Sequence, residues 1–174
     1  MTFWEQVLHQ CQIIIFLPLF TLILILAEYM SQAIWALAKL RRTDKATLDA
    51  LTKSVRGKAF ESPIDAAALA WSLGFLTYKD AETAKALGSA LKAGAADLTP
   101  SHAIDAAWGL AVLGSADKDV ISALFAVASA AIQKDPTGVD VYQLGALYNA
   151  SVLVPQAKLP EQVWKTEWDR HGMS

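Results

Sequence analysis

The sequence predicts an all-α protein, an α-solenoid of three to four stacked antiparallel helical hairpins, and three observations predict it. Trp35, Trp71 and Trp108 recur at intervals of 36 and 37 residues. Asp44, Asp80 and Asp117 each follow one of these tryptophans by nine positions. Pro63 and Pro100 precede the later two tryptophans by eight, and Pro136 follows Pro100 by 36. Self-similarity at such a period marks supersecondary units that bury their apolar faces only by stacking on one another. Stacked repeats bind extended partners, so the period already favours a binder over an enzyme.

Residues 1–30 form a hydrophobic segment of their own and predict an additional N-terminal helix. Between His9 and Glu28 lie 18 uncharged positions, residues 10–27, just enough for a helix to span a bilayer core. In a membrane, Lys39, Arg41 and Arg42 would place the C-terminal body on the cytoplasmic or matrix side. Pro18 is better tolerated there than in a soluble helix. The repeat pattern starts only at Ser31, so the segment reads equally as an uncertain gene start, with a buried first helix as a third reading. A cleaved signal peptide fits less well, because a basic n-region is missing.

Residues 31–160 read as helix after helix. Ser62-Pro63, Thr99-Pro100 and Asp135-Pro136 each pair a capping side chain with proline. The side-chain oxygen accepts from free N–H groups of the first turn, and proline at the first helical position loses no needed bond. The tryptophan helices are SQAIWALAKL, DAAALAWSLGFL and AIDAAWGLAVLG. A short turn follows each, and Asp44, Asp80 and Asp117 are expected to cap the second helices. In the first of these, Leu48, Leu51 and Val55 recur at helical spacing. A fourth, divergent unit is expected from Pro136 with VDVYQLGALYNASVL, and residues 161–174 form a polar tail or cap.

Within this frame the tryptophans have two readings. They can stack on nucleic-acid bases, or they can fill the seam between successive units. Recurrence within apolar helix faces favours the seam. The spaced aspartates read as caps before metal ligands, because each stands at a turn before a helix.

Composition bounds the function. Alanine supplies 31 of 174 residues, which suits closely packed helices. A formal net charge of −2 gives no global attraction to nucleic acid. Cys11 stands alone, so neither an internal disulfide nor a cysteine metal cluster is possible. His9, His102 and His171 share no ligand spacing. No P-loop, dinucleotide fingerprint, nucleophile elbow or zinc-helix motif occurs. The sequence therefore predicts no enzyme, no cofactor and no metal.

Local charge is the best clue to a partner. Lys39, Arg41, Arg42, Lys45, Lys53, Arg56 and Lys58 lie within twenty residues, opposed only by Asp44 and Asp49. Such a cluster on a repeat surface is a candidate for phosphate contacts. It reads alternatively as a solvated surface or as the positive flank of a membrane helix.

The tryptophan strings resemble the "WALAKLG" helix of octotricopeptide-type repeats, found in RAP-domain and FAST-kinase-like proteins of mitochondria and chloroplasts. The resemblance covers roughly residues 31–160. DVYQLGALYNASVLVPQAKLPEQV is similar to the segment that commonly precedes a RAP domain, with Tyr142-Gln143 and Leu159-Pro160 at its motif positions. The RAP domain itself is absent from these residues, which reads as part of a longer product or as a short paralogue. The resemblance implies binding of single-stranded or structured organellar RNA and a role in its processing or stability, in the mitochondrion first and the chloroplast as alternative. The rival expectation is a protein-interaction scaffold without nucleic-acid affinity, held to a membrane through residues 10–27.

Overall fold

The computed structural model describes residues 31–56, 60, 62–114, 117–160 and 163. The hydrophobic segment 1–30, with its candidate span 10–27, lies outside the described residues, as do Lys58 and all of the tail 161–174 except Val163. Among the described residues the protein is all-helical, with no strand and no helix long and apolar enough to cross a membrane.

Among the described residues seven α-helices follow one another. They are α1 (31–39), α2 (Lys45–Arg56), α3 (Pro63–Phe75), α4 (Ala81–Ala93), α5 (Pro100–Leu113), α6 (Lys118–Lys134) and α7 (Val141–Leu153). The starts of α3 and α5 follow the capping logic of their sequence. Ser62 accepts from the Ile64 N–H and Thr99 from the His102 N–H, each with proline next in line. Asp44 accepts from the Thr47 N–H at 2.8 Å and Asp117 from the Asp119 N–H at 3.0 Å, so both cap as expected.

Two starts depart from expectation. Asp80 stands at the N-cap of α4, but the backbone N–H of Thr83 is only a minor partner of its carboxylate. Its main partners are the Thr83 hydroxyl at 2.6 Å and the Arg56 guanidinium. Pro136 opens only a short 3-10 turn, Pro136–Gly138. The helix begins five residues later, where Asp140 and Gln143 form a reciprocal capping box.

Packing sorts the helices by parity. α5 packs most extensively on α3, next on α6 and then on α7; α4 packs on α2 and α6 as well as on α3 and α5. Contacts of α3 with α4 and of α5 with α6 join the two sets. Leu69 and Leu73 of α3, Leu87 and Leu91 of α4, Ile104 and Leu110 of α5, and Phe125 of α6 are fully buried between them. α3 and α5 are apolar nearly all round because they have neighbours on several sides. α2 is amphipathic and buries Leu48, Thr52 and Val55, with Leu51 half-buried.

The seam between α3 and α5 is closed by small residues and not by indoles. A Cβ on Gly109 would stand 2.3 Å from the Ala70 carbonyl oxygen and 2.7 Å from the Trp71 nitrogen. The helices therefore meet backbone to backbone. That leaves the tryptophans at the edge of the core: Trp71 and Trp108 are half-buried and Trp35 is 46% exposed. Trp71 and Trp108 still pack against the core, in keeping with a seam role, but the closest α3–α5 approach is made by small residues and Trp35 stands outside it. Glycine and alanine let the backbones approach more closely than any large side chain between them would allow.

Candidate nucleic-acid interface

α1, α3 and α5 each keep one stripe open. On α5 it consists of Ser101, Asp105, Trp108 and Val112, with residues on the other faces largely buried. On α3 the matching stripe is Ile64, Ala68, Trp71 and Phe75, and on α1 it is Gln32, Trp35 and Lys39. These spacings of three and four residues put the side chains above one another along a helix. Because α3 lies beside α5, the indoles stand at one level of adjoining helices.

Lys39 ties the first two indoles together. Its ammonium lies 5.2 Å from the Trp35 ring centre and 5.0 Å from that of Trp71. The Trp71 ring in turn stacks on Phe75, with centroids 5.1 Å apart and planes 19° from parallel. Each cation–π contact at an exposed site contributes about 0.5–1 kcal/mol. The result is an open aromatic ledge with a positive charge set into it.

The turn after α1 adds two more cations. The Arg42 N–H reaches back to the Leu37 carbonyl at 2.9 Å and the Arg41 N–H to Ala38 at 3.0 Å. This is a Schellman ending, and it puts Arg41 in the left-handed region at φ 52°, where glycine is normally found. Both arginines are exposed. Among the described residues, Lys39, Arg41, Arg42 and Lys53 have no acidic side chain in ion-pair contact.

The remaining members of the basic segment are engaged elsewhere. Lys45 donates to Asp49 at 2.8 Å, one turn along α2, and this hydrogen bond holds Lys45 above its ordinary range. Asp49 also accepts from the Tyr78 hydroxyl, and its carboxyl is held low by Lys45 first and Tyr78 second. Arg56 donates through Nε to Asp80 at 2.8 Å and through Nη1 to Glu82 at 3.0 Å, linking α2 to the start of α4. The described part of the basic run thus separates into Lys39 over the aromatic ledge with Arg41 and Arg42 in the turn after it, isolated Lys53, and the ion-paired Lys45 and Arg56.

Asp105 was not singled out by sequence reasoning. It is half-buried one turn before Trp108, and no described group hydrogen-bonds to it. Burial raises its carboxyl above the ordinary range; the charges of His102 and Lys39 oppose this and that of Asp140 adds to it. The readable signal was an acid three residues before tryptophan in an otherwise apolar helix. Among the described residues, no group of histidine, cysteine and acidic side chains is placed to hold a metal ion.

Comparison with protein families and with curated proteins finds no match to this chain.

Proposed function

We propose that the protein is an α-solenoid that binds single-stranded RNA along the open stripes of α1, α3 and α5. The observation that carries this reading is the Lys39 ammonium lying over both Trp35 and Trp71 beside unpaired Arg41 and Arg42. Aromatic faces accept bases whatever their sequence, at roughly 1–3 kcal/mol per stacked base, while adjoining cations take the phosphates. The small-residue α3–α5 crossing supports the solenoid, since repeated close approach of equivalent helices lets units stack. The protein acts by binding, without catalysis, in the processing or stability of organellar RNA. The organellar setting, mitochondrion before chloroplast, comes from the octotricopeptide-like strings alone.

A shift assay of the full chain with a single-stranded RNA of mixed sequence at low salt tests the reading. A retarded complex is expected, and none at any protein concentration would overturn it.

A protein-interaction scaffold is the second reading, and α7 favours it. Val141, Tyr142, Tyr148, Val152 and Leu153 are exposed there, with Tyr142 at 85%. A partner helix laid on that face would bury them. The scaffold reading predicts association in the absence of RNA.

A further inference from the structure

The open stripes repeat one pattern with one variable position. At the indole level stand Trp35, Trp71 and Trp108; one turn earlier stand Gln32, Ala68 and Asp105. A constant aromatic beside a changing side chain separates two tasks, stacking and edge recognition. Of the three variable residues only Asp105 brings a charge, and it has no hydrogen-bond partner among the described residues. A half-buried carboxylate without a donor is costly unless something supplies one.

The chemistry of a carboxylate narrows what that donor is. Ionised aspartate only accepts, with two oxygens side by side. Guanine offers N1–H and the exocyclic N2–H₂ next to each other on one edge, which matches both oxygens at once. Uracil offers a single N3–H between two carbonyl oxygens. Adenine and cytosine present one amino group beside a ring nitrogen that repels the second oxygen. A cationic side chain from a partner protein would also suit an acid beside an indole. Against it stand Lys39, Arg41 and Arg42, whose charges repel such a ligand and attract a phosphate chain. Lys39 is near enough for its charge to act on Asp105.

We propose that Asp105 selects guanine, accepting from N1–H and N2–H₂ of a base stacked at Trp108; this rests on the RNA-binding reading. The position one turn before each indole is then where the repeat reads sequence. Ala68 offers no hydrogen bond and reads nothing.

The test uses the full chain and labelled oligouridylates carrying guanine, inosine, adenine, cytosine or uracil at one central position. Guanine is expected to bind at least about five-fold tighter than the others, the lower range for a bidentate base contact. Inosine, which lacks the N2 amino group, is expected to lose most of that gain. In Asp105→Asn the guanine preference falls below two-fold, while binding to oligouridylate is kept or improved. Because burial disfavours the Asp105 charge, the asparagine variant is expected to fold at least as well as the parent. RNA binding with equal affinity for all five probes overturns the guanine assignment alone, as does an unchanged preference in Asp105→Asn. Capture of an arginine-rich peptide without capture of any RNA overturns both readings.

Discussion

The Cα of Gly109 occupies the place a side chain on Gly74 would need: a Cβ there would come within 2.8 Å of it. The crossing of α3 over α5 is thus set by two glycines, one from each helix, with Ala70 completing the contact. Gly109→Ala meets backbone that cannot step aside, so it should cost about 3 kcal/mol, the upper part of the overpacking range. For a chain this size the melting temperature should fall by roughly 6–12 °C. Gly145 in α7 has nothing within 4 Å of its missing Cβ. Gly145→Ala should therefore gain about 0.5–1 kcal/mol from backbone entropy alone. Equal melting temperatures for the two variants would contradict the close crossing.

Arg41 and Thr77 share a conformation and differ in surroundings. Both end a helix in a Schellman turn at φ 52°, although neither is glycine. Either residue costs about 1 kcal/mol in that region. Of the two, only Arg41 carries a positive charge. Arg41→Gly should raise stability by about 1 kcal/mol and weaken RNA binding, whereas Thr77→Gly should raise stability by about as much and leave binding alone. Melting curves and RNA titrations of the pair check this. A loss of binding in Thr77→Gly, or none in Arg41→Gly, would count against a role for the turn.

Asp80 gives the fold a defined response to acid. Its side chain is 8% exposed. Burial alone would raise its carboxyl, but hydrogen bonds from Thr83 and Arg56, together with the charge of Arg56, outweigh that and hold it low. A folded pKa below the unfolded one gives stability that is present at neutral pH and lost as pH falls through the folded value. Asp80→Asn should lose about 2 kcal/mol at pH 7, the scale of hydrogen bonds to charged groups. The gap to the parent should narrow once pH drops below about 4, near the unfolded carboxylate value. Urea titrations at pH 7, 4 and 3 measure it, and a gap that stays constant would contradict the pairing.

Ser129 on α6 is buried, and its hydroxyl has no hydrogen-bond partner among the described residues. Removing an unsatisfied buried hydroxyl recovers about 1 kcal/mol of desolvation, and alanine also suits a helix interior better. Ser129→Ala should raise the melting temperature by roughly 2–4 °C. A lower melting temperature would mean that the hydroxyl is satisfied after all.

Local chemistry made much of the fold readable. Proline after a capping residue marked the starts of α3 and α5, because both signals act within one helical turn. The same signal misled at Pro136, where a 3-10 turn comes first. The better cue there was Asp140 with Gln143 three residues on, a capping-box spacing. The site was harder to read because its assignments depend on contacts between units. Arg56 and Asp80 are 24 residues apart, and nothing in their neighbourhoods announces the pair. The tryptophan period was plain, but which way the indoles faced depended on Gly74 and Gly109 closing the seam without them. Tertiary packing decided what periodicity left open.

The salt dependence of RNA affinity tests the central claim most directly, with the full chain compared against a variant carrying Lys39→Ala, Arg41→Ala and Arg42→Ala together. Each phosphate contact on a single strand lowers log K by roughly 0.7 per decade of salt. Three unpaired cations, on α1 and in the turn after it, predict a slope near −2 for the parent and one close to zero for the triple variant, with weak stacking affinity remaining. An unchanged slope in the triple variant, or no RNA binding by the parent at the lowest salt, would contradict the account.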